Sequence, residues 1–221
     1  MNRTLMMRLI AKDWYLSRLP LTLIAIAGAV ATGLLYSGKT GGLVGIISAL
    51  IALIFLSILI PQLTVVNERK HGNLAFVMSL PIAPAEFTMS KVLGNLSAFV
   101  LLWAAIVGAV LGTIAFVPEA GGVIPLGVIA ALAPFVSFSL LLAVAIVTES
   151  ETLAMVTMGA TNVAYSFWWF LFRLPGFAEN LKSPVPVWSN AILTVIGGQI
   201  AVIVLALALT FYLQSRKTDF V

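Results

Sequence analysis

The one formal match to a chemical motif lies between residues 33 and 40. Its letters, GLLYSGKT, satisfy G-x-x-x-x-G-K-[ST], a loop whose backbone N–H groups and lysine cradle phosphate. That chemistry requires a buried strand before the loop. Here a long apolar run of membrane-span character precedes Gly33, and the charge distribution places Lys39 on the side away from cytoplasmic ATP. We therefore interpret Gly33–Thr40 as a glycine-rich turn between two spans and predict no nucleotide site.

Histidine and cysteine, the residues that most often bind metals or carry out catalysis, are scarce. The chain has one histidine, His71, and no cysteine. His71 has no second ligand in an H-E-x-x-H pattern, so we predict no metal site. No G-x-S-x-G pattern occurs, although the many serines leave a serine–histidine pair formally open. We predict no catalytic residues.

Composition indicates the class of protein. Of the 221 residues, 61% are hydrophobic and only 9% are charged, whereas a soluble domain carries roughly 25% charged residues. Such a chain cannot cover a water-facing surface, so we predict an all-α membrane protein that forms a single domain over residues 1–221. About 20 apolar residues cross a bilayer as a helix. The six predicted spans are Leu21–Tyr36, Leu43–Val66, Val92–Val117, Val123–Thr148, Thr152–Phe172 and Ala191–Leu213.

Residues 1–19 precede the first predicted span and have an amphipathic pattern. Basic residues and a tyrosine occupy one face at helical spacing, and leucines and a methionine occupy the other, where Arg3 and Asp13 are exceptions. This pattern predicts a helix that lies among the lipid headgroups, with Pro20 starting a new direction. The alternative is a solvated, poorly ordered tail. The residues of this interfacial helix that we single out are Arg8, Lys12, Trp14 and Arg18.

Charge also predicts the orientation in the membrane. If the N-terminus is cytoplasmic, only Lys39, Arg173 and Lys182 of the twelve basic residues face outwards. Six spans then place both termini in the cytoplasm and the chain in the cell membrane. The basic excess accordingly indicates contact with lipid headgroups and not with nucleic acid. The predicted spans contain no ionisable residue well inside them, which argues against a carrier coupled to protons or ions.

The longest water-compatible segment covers residues 67–91, between the second and third predicted spans. A charged run, Glu68-Arg69-Lys70, closes the second span, and a short apolar stretch at helical spacing follows it. The sequence LPIAP then resists helix formation. A second helix is predicted to begin at Pro84–Glu86, because proline and an acid are tolerated in a first turn. We predict a helix–turn–helix arm that projects into the cytoplasm.

This arm carries a resemblance to a known family. The run ERKHGNLAFVMSLPIAPAEFTMSK resembles the signature of permease subunits of ATP-binding-cassette transporters, of the type-2 exporter class. In that family, E-[RK]-x-x-G-x-L…S-L-P-[IV]-[SA]-x-x-E…[SA]-K joins the second and third spans. The sequence motif itself covers residues 68–91, and the order of predicted spans and connecting segments resembles the family over the whole chain. The matching positions are Glu68, Arg69, Gly72, Leu74, Ser79, Leu80, Pro81, Ile82, Ala83, Glu86, Ser90 and Lys91.

The resemblance implies a division of labour between chains. Two permease subunits, identical or different, pair in the membrane, and two separate ATPase subunits dock beneath them and bind ATP and magnesium. This chain would then be neither an enzyme nor a cofactor-binding protein, and residues 67–91 would form the coupling loop. The residues implied to contact the ATPase are Glu68, Arg69, Lys70, Leu74, Val77, Met78 and Leu80.

The predicted topology and the resemblance also suggest roles for two shorter segments. The turn that contains Glu149 and Glu151 is a second cytoplasmic contact by topology, although acids in such turns are usually only solvated. Residues 173–190 form an external segment, interpreted either as two short elements that cap the exit or as an ordinary loop. Two other functions stay open. One is a membrane-embedded hydrolase or transferase, and the other is a non-transporting interaction or self-resistance protein.

Overall fold

A computed structural model describes residues 3–70, 84–117, 120–171 and 173–216. All regular elements in these ranges are helical, which confirms the predicted all-α class. The α-helices are α1 Arg3–Leu34, α2 Gly38–Pro61, α3 Asn67–Lys70, α4 Pro84–Ala115, α5 Val123–Thr148, α6 Glu151–Leu171, α7 Pro175–Ala178 and α8 Asn190–Ser215. A π-helix, Gln62–Val66, joins α2 to α3, and a 3-10 turn, Asn180–Lys182, follows α7.

Within the described residues, five helices are long and apolar enough to cross a membrane. They cover Thr4–Leu34, Thr40–Val66, Glu86–Ala115, Val123–Thr148 and Asn190–Ser215. The sixth long helix, α6, has 21 residues, which is the length that a bilayer requires. Its threonines, its tyrosine and Asn162 lower its hydropathy. Length and composition therefore identify a membrane protein with five or six spanning helices.

The first helix corrects one prediction. Sequence patterning predicts a break at Pro20, but α1 is continuous from Arg3 to Leu34. Proline removes one backbone hydrogen bond from a helix interior. Both halves of α1 are held by packing on α4, since Trp14 bonds to Ser97 and Gly28 lies against Ile106. Residues 3–19 therefore do not form a separate helix.

The segment predicted as a cytoplasmic arm is partly described. Its second helix begins at Pro84, as predicted, and continues without interruption into the third span as α4. The first half of the arm, residues 71–83, lies outside the described residues. The π-helix before it was not predicted. There the N–H of Asn67 donates to the carbonyl of Gln62, five residues earlier.

Side-chain contacts fix the relative directions of the helices. Tyr36 contacts Thr113, and Trp14 contacts Ser97, so α1 and α4 run parallel. Thr64, just after α2, contacts Asn95 near the start of α4. Tyr36, just before α2, contacts Thr113 near the end of α4, so α2 and α4 run antiparallel. Gln199 and Gln214 of α8 donate to the carbonyls of Ile129 and Ile146, so α5 and α8 run parallel. The start of α1 and the end of α8 consequently lie at the same end of the bundle.

The central helix of the bundle is α5. In its most apolar stretch 56% of residues are buried, compared with 17–39% in the four other candidate spans. Pro134 interrupts its backbone hydrogen bonding. Nearby carbonyls accept bonds from neighbouring helices: Trp103 Nε1 of α4 donates to Ala131 O at 2.7 Å, and the Tyr165 hydroxyl of α6 donates to Ala133 O at 3.3 Å. Polar side chains thus tie α4, α6 and α8 to α5.

Three of the connections between the long helices are two tight turns and one longer segment. Residues 35–37 form the turn between α1 and α2, and Gly38, the first residue of α2, has a φ of +86° that favours glycine. A tight turn at Glu149 and Ser150 joins α5 to α6, with Glu149 in the left-handed region at φ 58°. The 173–190 segment contains two short helical elements, α7 and the 3-10 turn. Its Phe177 packs with Leu126, Ile129 and Ile192 of α5 and α8.

Candidate functional site

Four ionisable side chains meet where α1, α3 and α4 come together. We call this group the charge cluster and define it by Lys12, Asp13, Glu68 and Lys91. Three of them have little access to solvent: Asp13 is 2% exposed, Glu68 is 7% exposed and Lys91 is 2% exposed. Two carboxylates and two ammonium groups balance one another, which is the arrangement that buried charges require.

Lys91 lies at the centre of the cluster. Its ammonium donates to both carboxylate oxygens of Asp13, at 3.0 Å and 3.1 Å. It also pairs with Glu68 Oε2 and donates to the backbone carbonyl of Thr64 at 2.9 Å. One side chain of α4 therefore holds α1, the π-helix and α3 together.

Lys12 completes the charge balance from the edge of the cluster. Its ammonium pairs with Glu68 Oε1 and lies 3.8 Å from Asp13 Oδ1. Its side chain is 37% exposed, so part of it remains in contact with solvent. Lys12 thus closes the cluster on the side where α1 faces outwards.

A neutral hydrogen-bond network continues from the cluster along α4. The side chains of Thr64 and Asn95 contact each other, and both are 1% exposed. Asn95 Nδ2 donates to the carbonyl of Lys91 at 2.7 Å, and Thr64 Oγ1 donates to the carbonyl of Ile60 at 2.8 Å. The π-helix is therefore bonded to α4 through a carbonyl and a side chain of the same residue, Thr64.

Glu68 lies beyond the last apolar residue of the second span, and its environment favours the ionised form. Burial by itself would raise the pKa of its carboxyl group. The positive charges of Lys91 and Lys12, and the hydrogen bonds that they donate, outweigh that effect and hold the pKa of Glu68 below its ordinary value. The carboxyl group of Glu68 is therefore ionised at neutral pH.

The structure places the residues of the predicted coupling loop in different settings. Glu68 faces the charge cluster, where its carboxylate pairs with two lysines. Arg69 and Lys70 belong to α3. The apolar members Leu74, Val77, Met78 and Leu80, together with His71, lie outside the described residues. Contact of any of these residues with an ATPase stays a prediction.

The four residues predicted to form the interfacial helix among the lipid headgroups also lie in different surroundings. Arg8 and Arg18 are exposed, and the guanidinium of Arg18 lies 4.0 Å from the centre of the Tyr15 ring. Trp14 instead donates from its indole nitrogen to Ser97 Oγ of α4 at 3.2 Å. Lys12 belongs to the charge cluster. Only part of the predicted basic face is therefore free to meet lipid headgroups.

Sequence reasoning missed the buried charges. Asp13 was noted as an exception on the apolar face of residues 1–19. Its position four residues after Leu9 and four before Ser17, both buried, is the signal that could have identified it. The sequence predicts Lys91 at the end of a cytoplasmic loop, whereas the structure buries it within α4. Neither residue lies within the predicted spans Leu21–Tyr36 and Val92–Val117, but both lie within the longer apolar helices Thr4–Leu34 and Glu86–Ala115.

The chemistry of the cluster differs from that of a coupling-ion site. Carriers driven by protons or cations hold a carboxylate that is free to bind the ion. Here both carboxylates are neutralised by ammonium groups within the protein. In the described part of the chain no group of three or more acidic, histidine or cysteine side chains is placed to hold a metal. What the cluster can do is join three helices.

Comparisons with known proteins identify no relative of this chain. No family model matches it, and no curated protein or solved structure matches it.

Proposed function

We propose that the chain is the membrane-spanning subunit of an exporter driven by separate ATPase subunits. The helical membrane architecture and the family-like segment at residues 68–91 support this proposal. Two such subunits, identical or different, would form the translocation pathway in the cell membrane, with both termini in the cytoplasm. ATP and magnesium would be bound by the ATPase and not by this chain.

The observation that carries the proposal is the ion pair between Glu68 and Lys91. These residues stand at the two ends of the segment that resembles the family signature, and Lys91 also binds Asp13 of α1. A force applied to the segment would therefore act on α1, α2 and α4 together, because the charges at its ends are paired with one another. Mechanical coupling of this kind is what a receiver of ATPase motion requires.

The residue roles within the segment are refined accordingly. Glu68 is assigned to anchoring the segment, since its carboxylate is occupied by Lys12 and Lys91. Arg69 and Lys70 remain candidates for polar contacts with the ATPase. The apolar contacts would come from Leu74, Val77, Met78 and Leu80. Glu149 and Glu151, in the turn at the same end of the bundle, are a second candidate contact.

The test is purification of the tagged full-length chain from its native membrane. We expect an ATP-hydrolysing partner to co-purify. The double variant Arg69→Glu with Lys70→Glu should lower the recovered ATPase activity by at least about tenfold, because reversing interface charges places like charges together. The matched control reverses the charges at Arg173 and Lys182, which the charge distribution places on the other side of the membrane. Absence of any ATPase from the unaltered preparation would contradict the proposal.

A further inference from the structure

Lys91 links the π-helix to the charge cluster. Lys91 donates to the carbonyl of Thr64, which lies inside the π-helix, and also pairs with Glu68, which lies just beyond it. Asn95, one turn further along α4, contacts the side chain of Thr64. Lys91 and Asn95 of α4 therefore both bind the π-helix, and Lys91 also binds Glu68, whose direction the π-helix determines.

A π-turn contains one residue more than an α-turn. The bond from the N–H of Asn67 to the carbonyl of Gln62 shows this wider register. If the bonds of this stretch changed to the α-helical register, every following residue would rotate by about 100° around the helix axis. That rotation would carry Glu68 away from Lys91 and Lys12. The same sequence thus has two registers, and only the π register satisfies the cluster.

We propose that the π-helix Gln62–Val66 and Lys91 form a two-state latch, closed in this structure, that sets the rotation of α3. In the closed state Glu68 faces Lys91, and Val65 and Val66 are buried against the bundle. In the open state the stretch is α-helical, Glu68 has left the cluster, and Val66 has turned out of the core. The inference concerns the chain's own helices and holds with or without an ATPase partner.

The absence of cysteine from the chain allows a direct test. Val66→Cys places a thiol at a position that is 6% exposed in the closed state. Its rate of reaction with a water-soluble maleimide, measured on the purified full chain in detergent micelles, reports opening. Adding Lys91→Met should raise that rate by at least about tenfold, because removing one partner of a buried ion pair strongly disfavours the closed state. An unchanged rate would overturn the latch.

Two controls separate opening of the latch from general loosening. Ala154→Cys, 2% exposed in the first turn of α6 at the same end of the bundle, should react slowly with or without Lys91→Met. Arg173→Gln removes an exposed cation far from the cluster and should leave the rate at Val66→Cys unchanged. If Lys91→Met accelerates labelling at both buried positions, the latch is overturned.

Deletion of Leu63 tests whether opening of the latch requires the register change of the π-helix. Removing one residue from the π-turn leaves an α-helix without rotating either flank, so Glu68 keeps its direction and the register change is no longer available. In this background Lys91→Met should fail to accelerate labelling of Val66→Cys, and persistent acceleration would overturn the latch. If the deletion variant does not fold, Lys91→Arg provides the second test. Arginine keeps the positive charge and the hydrogen-bond donors, so Val66→Cys should be labelled as slowly as with lysine at position 91. Fast labelling in this variant would overturn the latch.

Discussion

Asp13 is a carboxylate on the buried face of a membrane-like helix, where Lys91 and Lys12 neutralise it. Its two oxygens accept hydrogen bonds from Lys91, and Lys12 lies 3.8 Å away. Removing one member of a buried ion pair leaves an uncompensated charge, which typically costs about 3–5 kcal/mol. We therefore expect Asp13→Leu to lower the free energy of unfolding by roughly that amount, measured by thermal unfolding in a fixed detergent.

Restoring the charge balance should recover most of this loss. The double variant Asp13→Leu with Lys91→Met leaves one cation and one anion, Lys12 and Glu68, which already pair. Replacing a buried ion pair with apolar groups is often close to neutral. The control is Glu179→Leu, at an exposed position outside the cluster. A double variant less stable than both single variants would show that the charges do not act as a balanced set.

The sequence alone indicates single residues of this cluster but not their association. Asp13 is conspicuous as an acid among leucines, and Lys91 is part of the family-like motif. Their contact joins positions that are 78 residues apart in the chain. Helical periodicity describes neighbours three or four positions apart and carries no information about such a pair. The cluster therefore requires the packing of α1 against α4 before it can be recognised.

At the scale of helices, close approach of α1 and α2 depends on Gly45. A Cβ atom added there would lie 2.6 Å from the carbonyl oxygen of Ala31, a backbone atom that cannot move aside as a side chain can. We expect Gly45→Ala to separate the two helices and to lower the free energy of unfolding by about 1–3 kcal/mol, as overpacked sites do. The readout is the thermal unfolding midpoint in detergent.

Gly108 of α4 provides the matched control for this substitution. A Cβ added there has no atom within 4 Å, and the residue lies inside a helix in the same way. Alanine is the better helix former by up to about 1 kcal/mol, so Gly108→Ala should be neutral or stabilising. Equal effects at the two positions would show that the helices do not touch at Gly45.

Helix positions were more predictable than helix continuity. Hydropathy predicts Val123–Thr148 with the bounds that α5 has in the structure. It fails at Pro20, where local preference predicts a break and packing on two neighbours keeps α1 continuous. The π-helix differs from an α-helix by a shift of one residue in its bonds, and its composition, Gln-Leu-Thr-Val-Val, does not reveal that shift. Local pattern thus locates the apolar helices, and tertiary contacts decide how they begin, end and bend.

For the whole molecule, the pairing of the helices determines which connections lie together. In the six long helices, α1 and α4 run in one direction, and α2, α5 and α8 run in the other. The tight turn between Thr148 and Glu151, together with the Tyr165 bond to Ala133, sets α6 antiparallel to α5. The charge cluster, the Glu149 turn and the end of α8 therefore share one end of the bundle. The Gly33–Thr40 turn and the 173–190 segment share the other.

This arrangement, combined with the charge distribution, predicts the topology in the membrane. Reporter fusions after residue 2 and after residue 216 should both be fluorescent with a protein that folds only in the cytoplasm. Alkaline phosphatase, which is active only outside, should be active when inserted at residue 39 or at residue 182. Termini on opposite sides would contradict the helix pairing. Both termini outside would leave the pairing intact but would contradict the positive-inside inference, and with it the placement of residues 67–91 beside an ATPase.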